Sequence, residues 1–445
     1  MEMISIMMKN VFNAKNMEIL DCLEKAGFEA YIVGGSLRDA LLNLPINDVD
    51  IATSATPEEI IETFSSFKIL PLGIEHGTVA IIVDGEQIEI TTFRQDGKYS
   101  DKRRPDSVSF TRSLKEDVKR RDFTINALAY NKDGLVDLVG GIEDIDNRLI
   151  KTVGSADRRF QEDPLRIMRG LRFASKLGFE IEKETDQAIF DNKHLLKNVS
   201  SERLQQELNG LLMGKNSKKI LDKYASVIAE FIPEIKPMIG FNQRNPYHLY
   251  DVWEHSTLVV ENAKEDIAHK LAAMLHDSGK PTTLTIDNKG VGHFLGHAEE
   301  SVKIAEQVLV NLKYPNVIKN RVLDIISEHD TRLSTKPYKI KKRIYEIGAD
   351  RFLDNLEFKK ADDKGKDLNY KNNKYDEIEK IAKDYLANSP ILSHKDLAIT
   401  PKDLIDLGFR GKDIGEILNE LVLLVISGYK NDKDSQMHYV IDKYN

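Results

Sequence analysis

The sequence contains a single cysteine, Cys22, among 445 residues. An intramolecular disulfide needs two thiols and a multi-cysteine zinc site needs several, so this chain can form neither. It also lacks an apolar run of the length that crosses a membrane. The Met-rich start is short and soon reaches Lys9, so it does not resemble a signal peptide. We therefore expect a cytoplasmic protein without a membrane segment.

Positive charge is not in excess either, because the net charge is −8 with 31% charged residues. This balance argues against a protein that coats nucleic acid over its whole surface, but it permits a local basic track on an acidic body. With 41% hydrophobic residues, the composition is that of an ordinary globular protein. The length predicts roughly two to four domains.

The most informative stretch covers residues 31–52. An apolar run over residues 31–33 predicts a short buried strand, which ends at Gly34-Gly35. Residues 38–42 then read as the start of a helix, and residues 47–52 as a second strand. A glycine turn that opens a helix presents unpaired N–H groups to an anion, so the turn is a natural site for a triphosphate.

Asp48 and Asp50 lie on the second predicted strand. Residues i and i+2 of a strand point to the same face, so the two carboxylates could hold a divalent metal between them. Mg²⁺ prefers carboxylate oxygens together with substrate phosphates. Glu89 lies on an alternating strand over residues 87–93, and it is either a third carboxylate for the metals or a solvated strand residue.

Basic residues are concentrated between Arg94 and Arg121. They predict a mobile loop that contacts phosphate or an RNA backbone, with a solvated linker as the alternative. The stretch ends in the pair Arg120-Arg121, which precedes an apparent start of an amphipathic helix. Arg121 could neutralise a triphosphate and Asn126 could contact a ribose; the alternative is a helix capped by solvated charges.

A helix is predicted over residues 162–174, with a proline near its first turn. Arg166, Arg169 and Arg172 recur at a spacing of three, so they share one face of this helix. Three neighbouring cations repel one another, which indicates an anionic ligand. The alternative is a ladder of structural salt bridges to Glu162 and Asp163.

Another helix is predicted from Ser200, the expected N-cap. Its Arg203 and Glu207 are spaced to pair with each other at i, i+4. We expect this helix to brace the arginine-bearing one.

Histidines gather in residues 245–335. His276-Asp277 ends a predicted helix, and an adjacent His and Asp at a helix end can bind one metal together; Mn²⁺, Ni²⁺ and Mg²⁺ all suit such mixed ligands. A lone histidine is usually a core or surface residue, but several at this spacing favour a metal centre. The candidate ligands are His255, His276, Asp277 and Asp362, while His297 and His329 could bind a second metal or touch a phosphate.

The succession of strand, Gly34-Gly35, helix and strand with Asp48-Val49-Asp50 resembles the core of the polymerase-beta nucleotidyltransferase superfamily. By motif, the chain is similar to class II tRNA nucleotidyltransferases (CCA-adding enzymes) and bacterial poly(A) polymerases. The resemblance implies an α+β fold, with a mixed-sheet nucleotidyltransferase head followed by all-α neck, HD-type and tail regions. We expect the head in residues 1–150, a neck with the base-selecting helix in 151–240, an HD-like metal-binding domain in 241–365 and a tRNA-binding tail in 366–445.

For the head, the resemblance implies phosphoryl transfer by two metal ions. Asp48 and Asp50 would hold two Mg²⁺ ions, with Glu89 as the candidate third carboxylate. Gly34, Gly35 and Arg38 would cradle the phosphates of the nucleotide.

For the neck, the resemblance implies a protein template. In class II nucleotidyltransferases, a Glu-Asp-x-x-Arg edge reads the incoming CTP or ATP, and here Asp163 and Arg166, next to Glu162, would do so. Arginine offers only donors and a carboxylate only acceptors, so the pair selects C and A over U and G. Arg169 and Arg172 would hold phosphates or stiffen the template.

For the histidine region, Leu275-His276-Asp277 with Gly279-Lys280 resembles the HD phosphohydrolase domain. In some relatives this domain removes 2′,3′-cyclic phosphates and acts as a phosphatase or 2′-nucleotidase. The resemblance leaves open whether the domain is hydrolytic here or serves as a scaffold.

The expected activity is template-independent addition of CCA to the 3′ end of tRNA from CTP and ATP, with release of pyrophosphate. Alternatives of the same fold are a poly(A) polymerase and an enzyme that adds only A. The stretch His76-Gly77-Thr78 and the long basic loop favour the tRNA enzyme. The alternative of another class is a metal-dependent HD phosphohydrolase whose head only binds nucleotides.

Overall fold

The computed structural model describes residues 12, 14–46, 48–70, 73–97, 107–245, 249–366, 373–388 and 390–444. The chain divides into two compact units, Met1–Pro233 and Glu234–Asn445. The first contains the main β-sheet, and the second is almost entirely helical. Among the described helices, none has the length and apolar character needed to cross a membrane.

The first unit is built on a seven-stranded sheet with the strand order β3-β4-β5-β2-β1-β8-β9. Strands β2 and β5 pair in parallel, and the other neighbours pair antiparallel. The predicted α+β class, a mixed sheet with helices followed by helical regions, is thereby confirmed. The strands of this sheet are β1 Ala30–Val33, β2 Asp50–Thr53, β3 Lys68–Leu70, β4 Thr78–Val83, β5 Glu86–Thr92, β8 Ala129–Asn131 and β9 Gly134–Val136.

In the part of the chain that the structure describes, three smaller strand pairs lie outside the main sheet. They are β6 Arg94–Asp96 with β7 Val108–Phe110, β10 Leu149–Ile150 with β11 Glu180–Ile181, and, in the second unit, β12 Thr285–Ile286 with β13 Gly292–His293.

The register of the central strands places two acidic residues on one face of the sheet. Ile32, Ile51 and Ile90 are partners across β1, β2 and β5, and all three are fully buried. Side chains alternate between the two faces of a sheet, so Asp50 and Glu89, which precede Ile51 and Ile90, point to the opposite face. The buried isoleucines thus anchor the strands whose other face carries the carboxylates.

The glycine turn has the predicted position, but the helix after it begins earlier than expected. Gly34 has a φ of 84°, and the helix runs over Gly35–Leu41 instead of starting near Arg38. The second strand begins at Asp50, so Asp48 precedes it, and Asn47 lies outside the described residues. The predicted start of this strand is therefore wrong. On the side of β1, the residues before Asp50 have no partner, because β1 ends at Val33, opposite Asp50.

The helix predicted after Arg121 is also wrong. A single 3₁₀ turn, Thr124–Asn126, is followed by strand β8. β8 pairs with β1 through Ala129 and Tyr130, so hydrogen bonding to the sheet overrides the local helical pattern.

The helices of the first unit flank the sheet and continue beyond it. We call Leu165–Leu177 the arginine helix and Ser201–Leu212 the neck helix. The two pack through buried apolar side chains, and the Ser175 hydroxyl donates to the main-chain oxygen of Leu211 at 2.7 Å. The helices of this unit are Ala14–Lys25, Gly35–Leu41, Pro57–Thr63, Leu114–Lys119, Gly141–Asp146, Ala156–Glu162, Leu165–Leu177, Lys183–Asn192, Ser201–Leu212, Ser217–Lys223 and Ala225–Ile228.

The second unit has a helical core around Ile267–Leu275. Every residue from Leu271 to Leu275 is fully buried, and His276, which follows at the end of this helix, also lies in the interior. A separate apolar cluster around Leu404, Leu421 and Val440 holds the C-terminal helices. The helices of this unit are Val252–Asn262, Ile267–Leu275, Lys280–Thr283, His297–Asn311, Asn316–Glu328, Pro337–Ile347, Ala349–Lys364, Lys374–Ala387, Pro401–Asp406, Lys412–Ile426 and Lys433–Tyr444.

Candidate functional site

Three carboxylates meet on one face of the first unit's sheet. Asp50 and Glu89 are partners across the parallel strands β2 and β5, and Asp48 lies two residues before Asp50. All three line one cavity of about 670 Å³, which we call the carboxylate cavity. Partial burial raises the pKa of Asp50, and the charges of Glu89 and Asp48 raise it further. A cation in this cavity would relieve the repulsion among the three anions.

A second cavity, of about 360 Å³, shares Asp50 with the first. We call it the arginine cavity. Among the residues that line it are nine of those predicted from the sequence: Gly34, Gly35, Arg38, Asp50, Arg121, Asn126, Asp163, Arg166 and Arg169. The predicted Glu162 and Arg172 are not in its wall, and Asp48 and Glu89 line the carboxylate cavity alone.

Gly34 brings the main chain close to both charged groups at the junction of the two cavities. A Cβ at this position would lie 3.5 Å from Asp50 Oδ2 and 3.9 Å from Arg121 Nη1. Its positive φ is a conformation that residues other than glycine adopt at a cost. The turn therefore needs glycine for its conformation and for the close approach of the backbone.

Arg121 is a buried cation in the wall of the arginine cavity. Its Nη2 donates to Asp117 Oδ2 at 3.2 Å and its Nη1 to the main-chain oxygen of Asn126 at 3.4 Å. Its Nε is buried and has no hydrogen-bond partner among the described residues. Burial lowers the pKa of Arg121, although Asp117 counteracts this. An anionic ligand would offset the cost of burying this charge.

Arg38 and Asn126, predicted to touch phosphate and ribose, are bonded to each other. Nη1 of Arg38 donates to Oδ1 of Asn126 at 2.5 Å. Arg38 also donates twice to Asp39 Oδ1, at 2.9 and 2.7 Å. Both Arg38 and Asn126 are buried, so this network holds the wall of the cavity in one arrangement.

The two residues predicted to read the base are each held by a partner. Asp163 accepts two hydrogen bonds from Arg203, at 3.2 and 2.7 Å. Arg166 donates to Glu162 Oε2 at 2.9 Å and to the main-chain oxygens of Arg159 and Arg120 at 3.3 and 3.1 Å. These hydrogen bonds therefore fix the orientation of both side chains in the absence of a ligand.

The other two arginines of the arginine helix pair with distant acids. Arg169 donates to Asp122, with Nη2 and Oδ2 2.6 Å apart, and Arg172 donates to Glu207 at 2.6 Å. The predicted alternative of a ladder to Glu162 and Asp163 thus holds only for Arg166 with Glu162. The acids that pair with these arginines therefore come mostly from distant parts of the chain.

The predicted pair of Arg203 with Glu207 is wrong. Arg203 bonds Asp163 and Glu207 bonds Arg172, so both side chains of the neck helix face the arginine helix instead of each other. The buried face between two helices is less solvated than the helix surface, so ion pairs across it are screened less. The expectation that the neck helix braces the arginine helix is confirmed by these contacts.

The wall of the arginine cavity also contains Arg120, from the basic pair that the sequence placed at the edge of the site, and two residues that were not predicted, Asp122 and Phe173. Asp122 directly follows the pair Arg120-Arg121, and Phe173 lies seven residues after Arg166. A spacing of seven returns to the same face of a helix, so the position of Phe173 was a usable signal. Burial acts to raise the pKa of Asp122, but Arg169, the Phe123 N–H and Arg166 together lower it below its ordinary value.

The basic loop can be followed only in part, because residues 98–106 lie outside the described residues. At its two sides, Arg94 donates to the main-chain oxygen of His76 at 2.6 Å, and Arg112 donates to Glu59 at 2.8 Å. Both arginines are therefore engaged by other residues of the first unit. The proposed contact with RNA or phosphate therefore depends on the remaining basic residues.

In the second unit, four histidines converge around one aspartate. Nε2 of His276 lies 3.2 Å from Asp277 Oδ2, and Nε2 of His255 lies 3.5 Å from the same oxygen. Nε2 of His297 and of His329 lie 3.5 and 3.7 Å from Asp277 Oδ1. The two oxygens of Asp277 thus face two separate pairs of imidazoles.

Asp362 completes the first of these two groups. Its Oδ1 lies 3.0 Å from Nε2 of His255 and 3.5 Å from Nε2 of His276. His255, His276 and Asp277 form one group with the spacing of metal ligands, and Asp277, His297 and His329 form another. The structure brings together all six residues predicted for this centre.

The Nδ1 atom of each histidine faces a main-chain oxygen: Gly365 for His255, Ala273 for His276, Phe294 for His297 and Ile326 for His329, at 2.6–3.1 Å. A carbonyl oxygen can only accept a hydrogen bond, so Nδ1 carries the hydrogen and donates, and Nε2 carries the lone pair when the ring is neutral. This arrangement is typical of metal-binding histidines.

Electrostatics in this group keep Asp277 ionised. Burial acts in the opposite direction, but His276 and Lys280 hold the pKa of Asp277 well below its usual range. Burial is likewise outweighed at His276, whose pKa the carboxylates of Asp277 and Asp362 raise to about 9.

Three family models match the chain. The "Poly A polymerase head domain" covers residues 30–151, the "Probable RNA and SrmB- binding site of polymerase A" covers residues 178–238, and the "HD domain" covers residues 247–385. The first includes the glycine turn and all three carboxylates, and the last includes the histidine cluster. Together with the fold, they define a nucleotidyltransferase that carries an HD domain.

Comparisons with individual proteins identify the family more specifically than the domain models do. A CCA-adding enzyme of Ligilactobacillus salivarius (strain UCC118) is 37% identical over 432 residues, 94% of this chain and 94% of that protein. One from Enterococcus faecalis (strain ATCC 700802 / V583) is 57% identical over 191 residues, 43% of this chain and 47% of that protein. The chain belongs to the CCA-adding enzymes, the family that its motifs indicated.

Solved structures agree with this assignment. The Bacillus stearothermophilus CCA-adding enzyme in complex with CTP has a TM-score of 0.69 and 30% identity, over 96% of this chain and 96% of that one. The Thermotoga maritima CCA-adding enzyme complexed with tRNA-CCA has a TM-score of 0.66 and 20% identity, over 99% and 98% of the two chains. The second comparison shows the shared fold.

Proposed function

We propose that this protein adds CCA to the 3′ end of tRNA from CTP and ATP, in the cytoplasm. The observation that carries the proposal is that Asp50 belongs to two cavities at once. One is lined by the three carboxylates and the other by the predicted nucleotide-binding residues. An enzyme that joins a nucleotide to an RNA end needs these two sites on either side of its reacting centre.

The carboxylate cavity fits divalent metal. Asp48, Asp50 and Glu89 offer only oxygen atoms, which are the ligands that Mg²⁺ prefers, and their repulsion raises the pKa of Asp50. Bound there, two Mg²⁺ ions would activate the 3′-hydroxyl of the primer and stabilise the departing pyrophosphate. Glu89 is assigned as the third carboxylate because it is the direct cross-strand partner of Asp50.

The arginine cavity would receive the nucleotide. Arg121 offers its unsatisfied Nε to the triphosphate, and the turn at Gly34-Gly35 lets the phosphates approach the main chain. Asp163 and Arg166 would read the base edge, with Glu162 orienting Arg166. Arg169 and Arg172 stiffen this wall through Asp122 and Glu207.

The carboxylate cavity would also receive the end of the RNA. It is larger than the arginine cavity and extends away from Asp50 past Ile46, Gln87 and the start of the first helix at Asn16. A terminal ribose placed there would face the nucleotide across Asp50. The 3′-hydroxyl and the α-phosphate would then meet at the carboxylates.

The proposed organisation follows these roles. Residues 1–150 form the nucleotidyltransferase head, and 151–240 form the neck with the base-selecting arginine helix. Residues 241–365 form the HD-like domain, and 366–445 form the tail that binds tRNA. The three family models, over 30–151, 178–238 and 247–385, support the first three segments.

The direct test supplies purified protein and Mg²⁺ with a tRNA transcript that lacks its last three nucleotides. CTP, ATP, UTP and GTP are given singly and together, and the products are sized on a sequencing gel. We expect two additions with CTP and a third only when ATP is present. A ladder of additions with ATP alone would instead identify a poly(A) polymerase, and a single addition of A only to a tRNA that ends in CC would identify an A-adding enzyme.

The aspartates provide the matched test of the residue assignment. Asp48→Ala and Asp50→Ala should each abolish addition while the affinity for tRNA stays close to that of the unaltered protein. The control is Asp84→Asn, which neutralises an exposed aspartate in the turn between β4 and β5 and keeps a residue type that tolerates its positive φ. Measurable turnover by either of the first two variants would contradict the assignment.

A second activity is favoured by the histidine cluster. We propose that His255, His276, Asp277 and Asp362 would hold one metal, and that Asp277, His297 and His329 would hold a second. Buried Nε2 atoms and ionised carboxylates suit Mn²⁺, Ni²⁺ or Mg²⁺, and such a pair of metals would support phosphoester hydrolysis.

This second proposal is tested on the whole protein. Metal content is measured after purification and after treatment with a chelator, and release of phosphate is followed from 2′,3′-cyclic and 2′-phosphorylated nucleotides. His276→Ala should lower the metal content and any hydrolysis without affecting CCA addition. Full metal content in this variant would refute the ligand set, and metal without hydrolysis would indicate a scaffold.

A further inference from the structure

The ring of Phe173 lies among three guanidinium groups. Their central carbon atoms are 5.0 Å (Arg38), 5.4 Å (Arg169) and 4.6 Å (Arg172) from its centroid. The ring is 5% exposed, and it packs at 84° against Phe123, which is fully buried. Phe173 is therefore a fixed aromatic surface shared by three cations.

These cations come from two different parts of the nucleotide site. Arg38 belongs to the helix Gly35–Leu41, which follows the glycine turn. Arg169 and Arg172 belong to the arginine helix, three and six residues after Arg166. The ring thus connects the side of the cavity assigned to phosphates with the side assigned to the base.

Each guanidinium also pairs with an acid. Arg38 pairs with Asp39 at 2.7 Å, whereas Arg169 pairs with Asp122 and Arg172 with Glu207, both at 2.6 Å. Glu207 also lies 3.8 Å from Arg169, but among the described residues no acid pairs with all three arginines. The aromatic ring is the element that all three share.

The physical effect of the ring follows from its charge distribution. The face of an aromatic ring is negative and attracts a cation, most strongly where water is excluded. Three guanidinium groups around one point otherwise repel one another. A leucine of similar burial would keep the apolar contact but would offer no such attraction.

We infer that Phe173 is a positioning residue for nucleotide selection. Its ring holds Arg38 and the arginine helix in one register, so that the triphosphate and the base edge of the same nucleotide fit together. The inference rests on the proposed function of the arginine cavity. It predicts that loss of the ring affects the correct nucleotide more than the wrong one.

The test compares Phe173→Leu with Phe160→Leu in the full-length protein. Phe160 is equally buried in the same unit, and in the part of the chain that the structure describes no guanidinium lies over its ring. KM and kcat are measured for CTP and for UTP on tRNA that lacks CCA. Phe173→Leu should raise the KM for CTP about tenfold and reduce the preference for CTP over UTP by a similar factor, while Phe160→Leu should change neither.

Two results would overturn the inference. One is a preference for CTP over UTP in Phe173→Leu equal to that of the unaltered protein, and the other is an equal loss of preference in Phe160→Leu. Failure of the unaltered protein to extend tRNA would refute the proposed function itself, so the two failures are distinct.

A second measurement covers the case in which Phe173→Leu does not fold. Phenylalanine analogues with one, two and three fluorine atoms are introduced at position 173, which weakens the attraction for cations stepwise with little change in shape. Phe173→Tyr, which keeps the aromatic face, should retain the preference. The KM for CTP should rise with each fluorine, and a KM that does not depend on fluorination would refute the role of the ring.

Discussion

The carboxylate of Asp163 is held by the guanidinium of Arg203, forty residues further along the chain, through two hydrogen bonds of 3.2 and 2.7 Å. Such a paired geometry fixes the plane of the carboxylate as well as its position. Arg203 belongs to the neck helix, so the orientation of Asp163, which is proposed to read the base, depends on a contact from that helix.

Arg203→Met should therefore weaken base selection. Without the guanidinium, Asp163 is free to rotate about its side-chain bonds, and we expect the ratio of kcat/KM for CTP over UTP to fall about tenfold. Lys197→Met is the control, since Lys197 is exposed and pairs with Glu230 in the same unit, away from the arginine cavity. An unchanged ratio in Arg203→Met would show that Asp163 does not need this support.

Asp50 gives a prediction about pH and stability. Partial burial and the charges of Glu89 and Asp48 raise its pKa above the ordinary value of 3.8, although Arg121 opposes them. A group whose pKa is raised on folding stabilises the folded state below its ordinary pKa and loses that contribution as the pH rises through the raised value. At neutral pH and without metal, ionised Asp50 therefore disfavours the folded state.

Asp50→Asn should accordingly raise the melting temperature of the metal-free protein at pH 7, by an amount on the order of 2 °C. The difference should shrink as the pH is lowered towards 4, and Mg²⁺ should stabilise the unaltered protein more than the variant. Asp84→Asn is the control, because that exposed aspartate should have little effect. A lower melting temperature for Asp50→Asn at every pH would contradict this account.

Lys359 gives a prediction about the metal centre. Its side chain is buried, and Nζ donates to the main-chain oxygens of Glu328, His329 and Thr331 at 2.6–2.7 Å. It therefore closes the end of the helix Asn316–Glu328 and fixes the backbone that carries His329.

Lys359→Met should destabilise the protein by roughly 2–3 kcal/mol, because three buried oxygens lose a charged donor. It should also reduce the bound metal from two ions per chain to one, as measured by elemental analysis after dialysis. Lys360→Met is the matched control, since that neighbouring side chain points to Asp376 and Glu379 instead. Two ions retained in Lys359→Met would show that His329 does not depend on this contact.

Much of the nucleotide site could be predicted because its signals are local. The turn at Gly34-Gly35 is visible in the order of residues, and so is the alternation that brings Glu89 to the same face as Asp50. The histidine cluster was likewise visible, since His276-Asp277 stands at the end of an apolar helix. In each case the sequence pattern that indicates the site lies within a single turn, strand or helix, or at its end.

What could not be predicted depends on the packing of distant elements. The acid partners of Arg169 and Arg172 lie 47 and 35 residues away, and nothing in the spacing of the arginines points to Asp122 or Glu207. The helix predicted after Arg121 was wrong for the same reason, because Ala129 and Tyr130 pair with β1 in the sheet. Tertiary pairing decided these features over local preference.

The hydrogen bonds around Asp163 also limit what this residue can detect. A carboxylate has about four lone-pair directions, and three are already occupied here: Oδ1 accepts from Leu165 N–H and from Arg203, and Oδ2 accepts from Arg203. Within the described residues one direction is left, enough for a single N–H of a base. If Asp163 reads the base as proposed, it can therefore accept a hydrogen bond from one amine N–H at that edge. Cytosine and adenine both carry such an amine, so on this proposal Asp163 alone does not distinguish them and the choice lies with other groups.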